Sequence, residues 1–251
     1  MDGEVEDYAI GSFNPITVFV DDDWVGLPSG VDPDGSGPAA SLGLDAFTTV
    51  QKAVDIVRDS GHVIVASGFY AEHVHITRQV AIEGAGADRT TLDGGGVGIV
   101  VDIAATADVD LSGIRIQRGA GVDGAGVRNL GSLQITESAV TDNTSQRGAG
   151  VFNAGTLLLS SSGIWDNWAS GAGGGIYNAG TLNITNTTIS GNTANGGSGG
   201  GLSSAGDTSL LNVTISDNRA RFGGGVARLT GEFRLHNTIV AANVLLGLQL
   251  P

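Results

Sequence analysis

Three groups of side chains in this 251-residue chain have the types and spacing that chemistry needs. The first is Asp93, Arg115, Gln117, Arg118, Asp142, Trp165 and Asp166. Paired carboxylates can perform general acid and base work or hold a cation, a guanidinium can bind an acidic sugar, and an indole stacks on a sugar face. Asp93, Arg115, Asp142 and Asp166 are therefore the catalytic candidates, and Arg118 with Trp165 the substrate-binding ones. A structural reading competes with this one, because Asp142 and Asp166 each precede an Asn in a pattern that recurs at Asp217.

The second group is Glu72, His73 and His75 in AEHVHIT. If Val74 and Ile76 face inward, the two histidines point outward together, about 7 Å apart along a strand. Such a pair supplies two ligands to Zn²⁺ or a similar ion, with Glu72 or a neighbouring segment as the third; a solvated strand face gives the same pattern. The third group is aromatic: Phe152 and Tyr177 share one position in successive repeats, while Trp165 and Trp168 bracket Asp166. Exposed aromatic clusters mark binding surfaces, or they shield a corner. Beside these lies DDDWVGLPSGVDPDGSGPAASLGLDA, where Asp21, Asp22, Asp23, Asp32 and Asp34 offer the oxygens that Ca²⁺ takes. DPDGSG lacks the closing bidentate Glu of an EF-hand, and an Asp-rich turn explains the string as well.

What positions these residues is a repeat. From Gly124 to Asn243 one short phrase is written five times: GAGVRNLGSLQITESAVTDN, GAGVFNAGTLLLSSSGIWDN, GGGIYNAGTLNITNTTISGN, GGGLSSAGDTSLLNVTISDN and GGGVARLTGEFRLHNTIVAAN. The closing Asn falls at 143, 167, 192, 218 and 243, a period near 25. Each copy holds short β-runs with alternating apolar residues, as at Leu182, Ile184 and Ile189, and none can bury an apolar face alone. Stacked copies bury it, which predicts a parallel β-solenoid with equivalent positions roughly 4.8 Å apart. Val127, Val151, Ile176, Leu202 and Val226 then form an inward ladder, and the five Asn residues a second one. Asn suits the left-handed backbone of a tight corner and can bond to its equivalents above and below. Paired glycines such as Gly174 and Gly175 suit corners where a Cβ would clash.

GGGIYNAGTLNITNTTISGN resembles the right-handed parallel β-helix repeats of large secreted bacterial surface proteins, within the pectate-lyase-like superfamily. The likeness spans roughly residues 16 to 243. It implies an all-β, right-handed parallel β-helix; it does not imply one activity, since the superfamily contains lyases, hydrolases, esterases, epimerases and adhesins. In its enzymes the catalytic groups stand on the outer face of a sheet. The opening GEVEDYAI, Gly3 to Ile10, resembles the closing strand of the GEVED module of secreted bacterial proteins. That likeness implies that residues 1 to 12 are the remnant of a preceding β-sandwich module, and that 13 to 251 form one β-helix domain cut from a longer extracellular chain whose signal peptide lies upstream.

Taken in order, ITVFV is a first strand. AFTTVQKAVDIVRD places Phe47, Val50, Val54 and Val57 at helical spacing, which predicts an amphipathic helix over 46–59. By the resemblance this is the N-terminal cap of the solenoid, blocking edge pairing. Two longer coils follow. Aligning their closing strands puts Val65, Leu92, Ile116, Val140, Ile164, Ile189, Ile215 and Val240 inward, and Ala66, Asp93, Gln117, Thr141, Trp165, Ser190, Ser216 and Ala241 outward. After Asn243 the run VLLGLQLP fits no repeat position and reads as a non-native tail or an improvised apolar cap.

Composition narrows the function. The 42 Gly and 15% charged residues suit a solenoid of tight corners, and without Cys there is neither a disulfide framework nor a thiol nucleophile. Asp and Glu number 26 against 12 Lys and Arg, a net charge of −14 that disfavours nucleic acid and favours a cation or a neutral or basic polymer; an acidic surface that simply keeps a secreted protein soluble gives the same balance. No apolar run reaches the roughly 20 residues of a membrane span. No Ser sits in a nucleophile-elbow string. The repeats carry hardly any insertion beyond TANGGSGG near Asn195, and a shallow groove binds polymers more readily than it encloses a small substrate. These features predict a monomeric extracellular module that binds or displays against polysaccharide or another surface polymer. The alternative is a hydrolase or polysaccharide lyase using the acidic strip or a His-bound metal. Convergence of Asp93, Arg115 and Arg118 within hydrogen-bonding reach would favour that alternative.

Overall fold

Alternation at period two drives one side of each short run into the core, and a left-handed residue at several of the corners turns the chain onto the next face. The computed structural model, which describes residues 14–247, shows this in the coil that begins at Ser132. In Ser132–Thr136, Leu133 and Ile135 are buried and Ser132 and Gln134 exposed. Glu137 (φ 49°) bends the chain into Ala139–Thr141, with Val140 inward, and Asp142 (φ 56°) bends it again into Thr144–Ser145. Val151–Asn153 completes the coil. Thr156 then lies in register above Ser132, and the pattern starts over.

Stacking produces four parallel sheets of 10, 8, 7 and 5 strands among the described residues. The chain is thus the all-β parallel β-helix that its repeat implies. The ladder Val127, Val151, Ile176, Leu202 and Val226 runs in register up the third sheet, and the first four are fully buried. One continuous hydrophobic core extends from Val18 to Ile215.

The corner Asn column is hydrogen-bonded throughout. Nδ2 of Asn143, Asn167, Asn192 and Asn218 each donates to Oδ1 of the next Asn at 3.0 Å. The same Oδ1 accepts the backbone N–H of the Asn below, as from Asn143 to Asn167 at 3.1 Å. These amides are buried without an unsatisfied atom, which is what makes a polar column tolerable in the core. The left-handed backbone, however, belongs to the preceding residue: Arg118, Asp142, Asp166, Gly191, Asp217 and Ala242 all have positive φ. A second buried ladder, unread in the sequence, joins Asn129, Asn153 and Asn178 with Nδ2 to Oδ1 distances of 2.8 Å. Gly175 keeps its expected role, since a Cβ there would come within 2.6 Å of the Gly201 carbonyl.

The irregular start departs from expectation in three places. Helix α1 covers Val50–Ile56, not 46–59. Ala46–Phe47 is a short strand paired with Phe19 and Val20, so β-pairing takes the first residues that helical spacing had claimed. The remaining two turns lie beside Thr17–Val20, Ala46–Phe47, Gly61–Val65 and Val74–Ile76, and a cap across the solenoid is not evident. Val65 is inward but sits in the first sheet, paired with Val20 and Gly84; Tyr70 occupies the position below Leu92, and Ala71, not Ala66, begins the outward column. Alternation alone could not separate these, because Val65 and Tyr70 are both buried.

At the other end, Val244 and Leu245 pair in register with Arg219 and Ala220, so the first residues of VLLGLQLP do continue the repeat. The assigned GEVED remnant, 1 to 12, and the last residues of that run lie outside the described residues. No described helix is long and apolar enough to cross a membrane.

Candidate functional site

The outward face of the second sheet carries the first candidate group. Its columns are in register: Asp93, Gln117, Thr141 and Trp165 stack in one, Thr91, Arg115, Ala139 and Gly163 in the next. Asp93 points to the outer side yet is only 1% exposed, because Arg118 and Gln117 close over it. Arg118 Nε donates to both carboxylate oxygens at 2.9 and 2.7 Å, Gln117 Nε2 to Oδ2 at 2.7 Å, and the Gly95 N–H to Oδ1 at 2.8 Å. Burial alone would raise the Asp93 carboxyl, but these donors together hold it below the usual carboxylate range. Asp93 and Arg118 thus converge, while Arg115 turns away to the Ala87 carbonyl at 3.2 Å and to the Trp165 ring, 5.8 Å from its centroid.

Trp165 lies flat on the sheet, its indole over Gly163, where no side chain lifts it. Across the corner, Trp168 stands on the fourth sheet, 40% exposed and in register between Thr144 and Thr193. Asp142 and Asp166 occupy the left-handed corner positions of successive coils and are exposed. Asp142 accepts the Thr141 hydroxyl at 2.6 Å. A parallel stack sets these two residues roughly 4.8 Å apart.

The second group is split. Glu72 accepts the N–H groups of Val50 and Gln51 at 2.8 and 2.9 Å, and so caps helix α1 from more than twenty residues away. Its carboxyl is raised, burial outweighing the two backbone donors. Thr49, at the helix start, makes no side-chain cap bond, which is the vacancy that Glu72 fills. The carboxylate is therefore committed to the helix and not to His73 and His75. Those two line a cleft of about 480 Å³ with Gly98, Ile99, Asp102, Ala120 and Gly121.

The aromatic pair forms a parallel stack: the Phe152 and Tyr177 centroids are 5.7 Å apart at 4°. Arg147 covers both rings, 5.5 and 5.3 Å from their centroids, and Phe152 is only 9% exposed. This is a shielded stack, with less open ring face than Trp168 offers.

In the Asp-rich loop the structure gathers Asp21, Asp22 and Asp23, the only such acidic or histidine group among the described residues. Asp21 is raised, by burial first and then by its two neighbours. Asp32 and Asp34 do not join them; Asp32 accepts the Asp34 and Gly35 N–H groups and Asp34 that of Ala39, as an Asx-type turn does.

Sequence reasoning missed two further ion pairs on the third-sheet side. Arg128 grips Asp102 and Arg147 grips Asp123, each through two bonds of 2.7 Å. A signal for them exists: Asp93 to Arg118, Asp102 to Arg128 and Asp123 to Arg147 are separated by 25, 26 and 24 residues, which is one coil. Opposite charges one period apart in a solenoid meet.

No protein-family profile matches the chain, and no curated protein matches it. Among solved structures it is similar to a pectin methylesterase mutant in complex with a hexasaccharide, at 11% identity and a TM-score of 0.45, over 84% of this chain and 80% of that one. It is also similar to the pectin methylesterase from Aspergillus niger in penultimately deglycosylated form, at 12% identity and a TM-score of 0.47, over 90% and 86% of the two chains. Likeness at this level carries no argument about the site, and the fold rests on the strand pairing above.

Proposed function

We propose that this protein is an extracellular binding module that holds a neutral polysaccharide along the outer face of its second and fourth sheets, acting as a monomer. The observation that carries the reading is Trp168, 40% exposed on the fourth sheet, across the corner from Trp165, whose ring lies over Gly163 with Arg115 5.8 Å from its centroid. Indole faces on an unwalled sheet stack on sugar rings without enclosing them. The acidic balance of −14 favours a neutral over an acidic glycan. Catalysis on this face has less support, because the convergent Asp93 and Arg118 neutralise each other. The hydrolase or lyase reading keeps Asp142 and Asp166 as its carboxylate pair, and one experiment separates the two.

Affinity electrophoresis through neutral and acidic polysaccharides, with release of reducing ends measured on the same mixtures, tests the proposal. The wild-type chain is expected to be retarded by a neutral glycan, Trp168→Ala to lose at least tenfold in affinity, and no reducing ends to appear. Absence of retardation in every glycan, or turnover lost on Asp142→Asn and Asp166→Asn, overturns it.

A further inference from the structure

The cleft beside the third sheet contains an arrangement that polymer binding does not use. Val74 is buried, so its neighbours His73 and His75 both turn outward, and both line the cleft. His75 stands in register beside Asp102, which stands beside Arg128. Arg128 fixes the Asp102 carboxylate through both oxygens, and Asp102 Oδ2 lies 3.1 Å from His75 Nδ1. His73 Nδ1 lies 2.8 Å from the Ile99 carbonyl oxygen. Its ring packs over Gly98, a left-handed glycine (φ 60°) at which an added Cβ would come within 3.0 Å of the ring.

Both partners are oxygen atoms that can only accept. A hydrogen bond to each therefore requires the proton on Nδ1, and a neutral imidazole so arranged leaves a bare lone pair on Nε2. Two histidines of one strand segment are thus set in the same tautomer, each oriented through Nδ1 by a carboxylate or a backbone carbonyl. This is the outer arrangement that orients imidazole ligands around a metal.

We infer that the cleft binds a borderline transition-metal dication such as Zn²⁺ through Nε2 of His73 and Nε2 of His75, with water in the remaining positions. Nitrogen donors select this class over Ca²⁺ and Mg²⁺. Glu72 takes no part, since its carboxylate caps helix α1. Asp102 is a positioning residue, holding the His75 ring and its tautomer, and Arg128 holds Asp102.

The test uses the whole chain with Zn²⁺ alone, by calorimetry at pH 7.5, and nitrogen-15 NMR of the imidazoles. One Zn²⁺ per chain is expected. His73→Ala and His75→Ala should each lower affinity at least tenfold, Asp102→Asn by about tenfold, and the double Asp21→Asn/Asp23→Asn chain should bind as wild type. NMR should show protons on Nδ1 of both rings before metal and a shift of Nε2 on its addition. Both histidines are exposed, so melting curves of the two histidine variants should match wild type and exclude unfolding as the cause. Binding retained in the double His73→Ala/His75→Ala chain, binding lost with the acidic loop, no binding in wild type, or Nε2-protonated rings in the metal-free protein would each overturn the inference. Glycan retardation is read separately, so failure of either proposal leaves the other standing.

Discussion

In the coils from Gly124 to Asn243 a position in one repeat has the same task in the next, whereas in the coils before Gly124 neighbouring positions do different work. Asn143, Asn167, Asn192 and Asn218 make the same bonds at each level. By contrast, the column that runs from the earlier coils into the first regular one holds His75, Asp102 and Arg128, an imidazole, a carboxylate and a guanidinium. Glu72 reaches away from its own strand to start a helix. Where equivalent positions carry the same residue type, stacking commits them to one another; where the type changes from coil to coil, as at Asp102 and Arg128, the same register brings opposite charges together. The early coils therefore hold the metal candidate, while the regular ones supply the flat platform for a polymer.

Four substitutions sharpen or break this contrast. The largest effect is expected from Ile184→Asp in the regular region, where a fully buried position would receive an unpaired charge. A loss of more than about 4 kcal/mol is expected, read as a large drop in melting temperature; an unaltered melting temperature would mean that the inward register is wrong. Next is Asn192→Ala. The sequence suggests about 1 kcal/mol for one ladder bond, but Asn192 donates to Asn218 Oδ1 and to the Ile164 and Ser190 carbonyls and accepts twice from Asn167. Leaving those buried partners unpaired is expected to cost about 3 kcal/mol, and urea melts giving less than about 1 would show that the column is replaceable.

The two charged sites of the early coils should show smaller losses of opposite pH sign. Asp93 is held below its ordinary value, so its contribution is present above the unfolded carboxyl range near 3.8 and is lost as pH falls through the lower folded value. Asp93→Asn is thus expected to cost roughly 2 kcal/mol at pH 7 and much less at pH 3. Glu72 is raised above 4.5, so the folded state favours its protonated form, and wild-type stability declines relative to Glu72→Gln as pH rises through that window. Glu72→Gln is expected to cost under about 1 kcal/mol at pH 4, where the protonated carboxyl and the amide are similar acceptors, with the cost shrinking further by pH 7. Urea melts of both variants at these pH values check the signs; parallel profiles would contradict the two environments described.

Much of this architecture is written in the residues. Val151 and Ile176 are spaced by one coil and carry the same apolar type, so their stacking needs no knowledge of the rest of the chain. The candidate site is less legible, because the strip of Asp93, Arg115 and Arg118 reads as one group until the side chains are placed. Arg115 and Gln117 share a face, yet Arg115 turns away while Gln117 and Arg118 close on Asp93. Helix α1 was legible as helix but not in extent, since the pairing of Ala46 and Phe47 with Phe19 and Val20 is contributed from far along the chain.

By itself, then, the sequence determined the coil: its period, its inward ladders, its Asn column and its acidic surface, all properties that recur every 25 residues or so and are fixed by local alternation and corner chemistry. Only the tertiary structure decided which charges neutralise each other, that Glu72 caps a helix, and which oxygen each imidazole Nδ1 meets. Those outcomes depend on side chains reaching between coils over a few ångströms, where a hydrogen bond made to one partner removes the group from every other use.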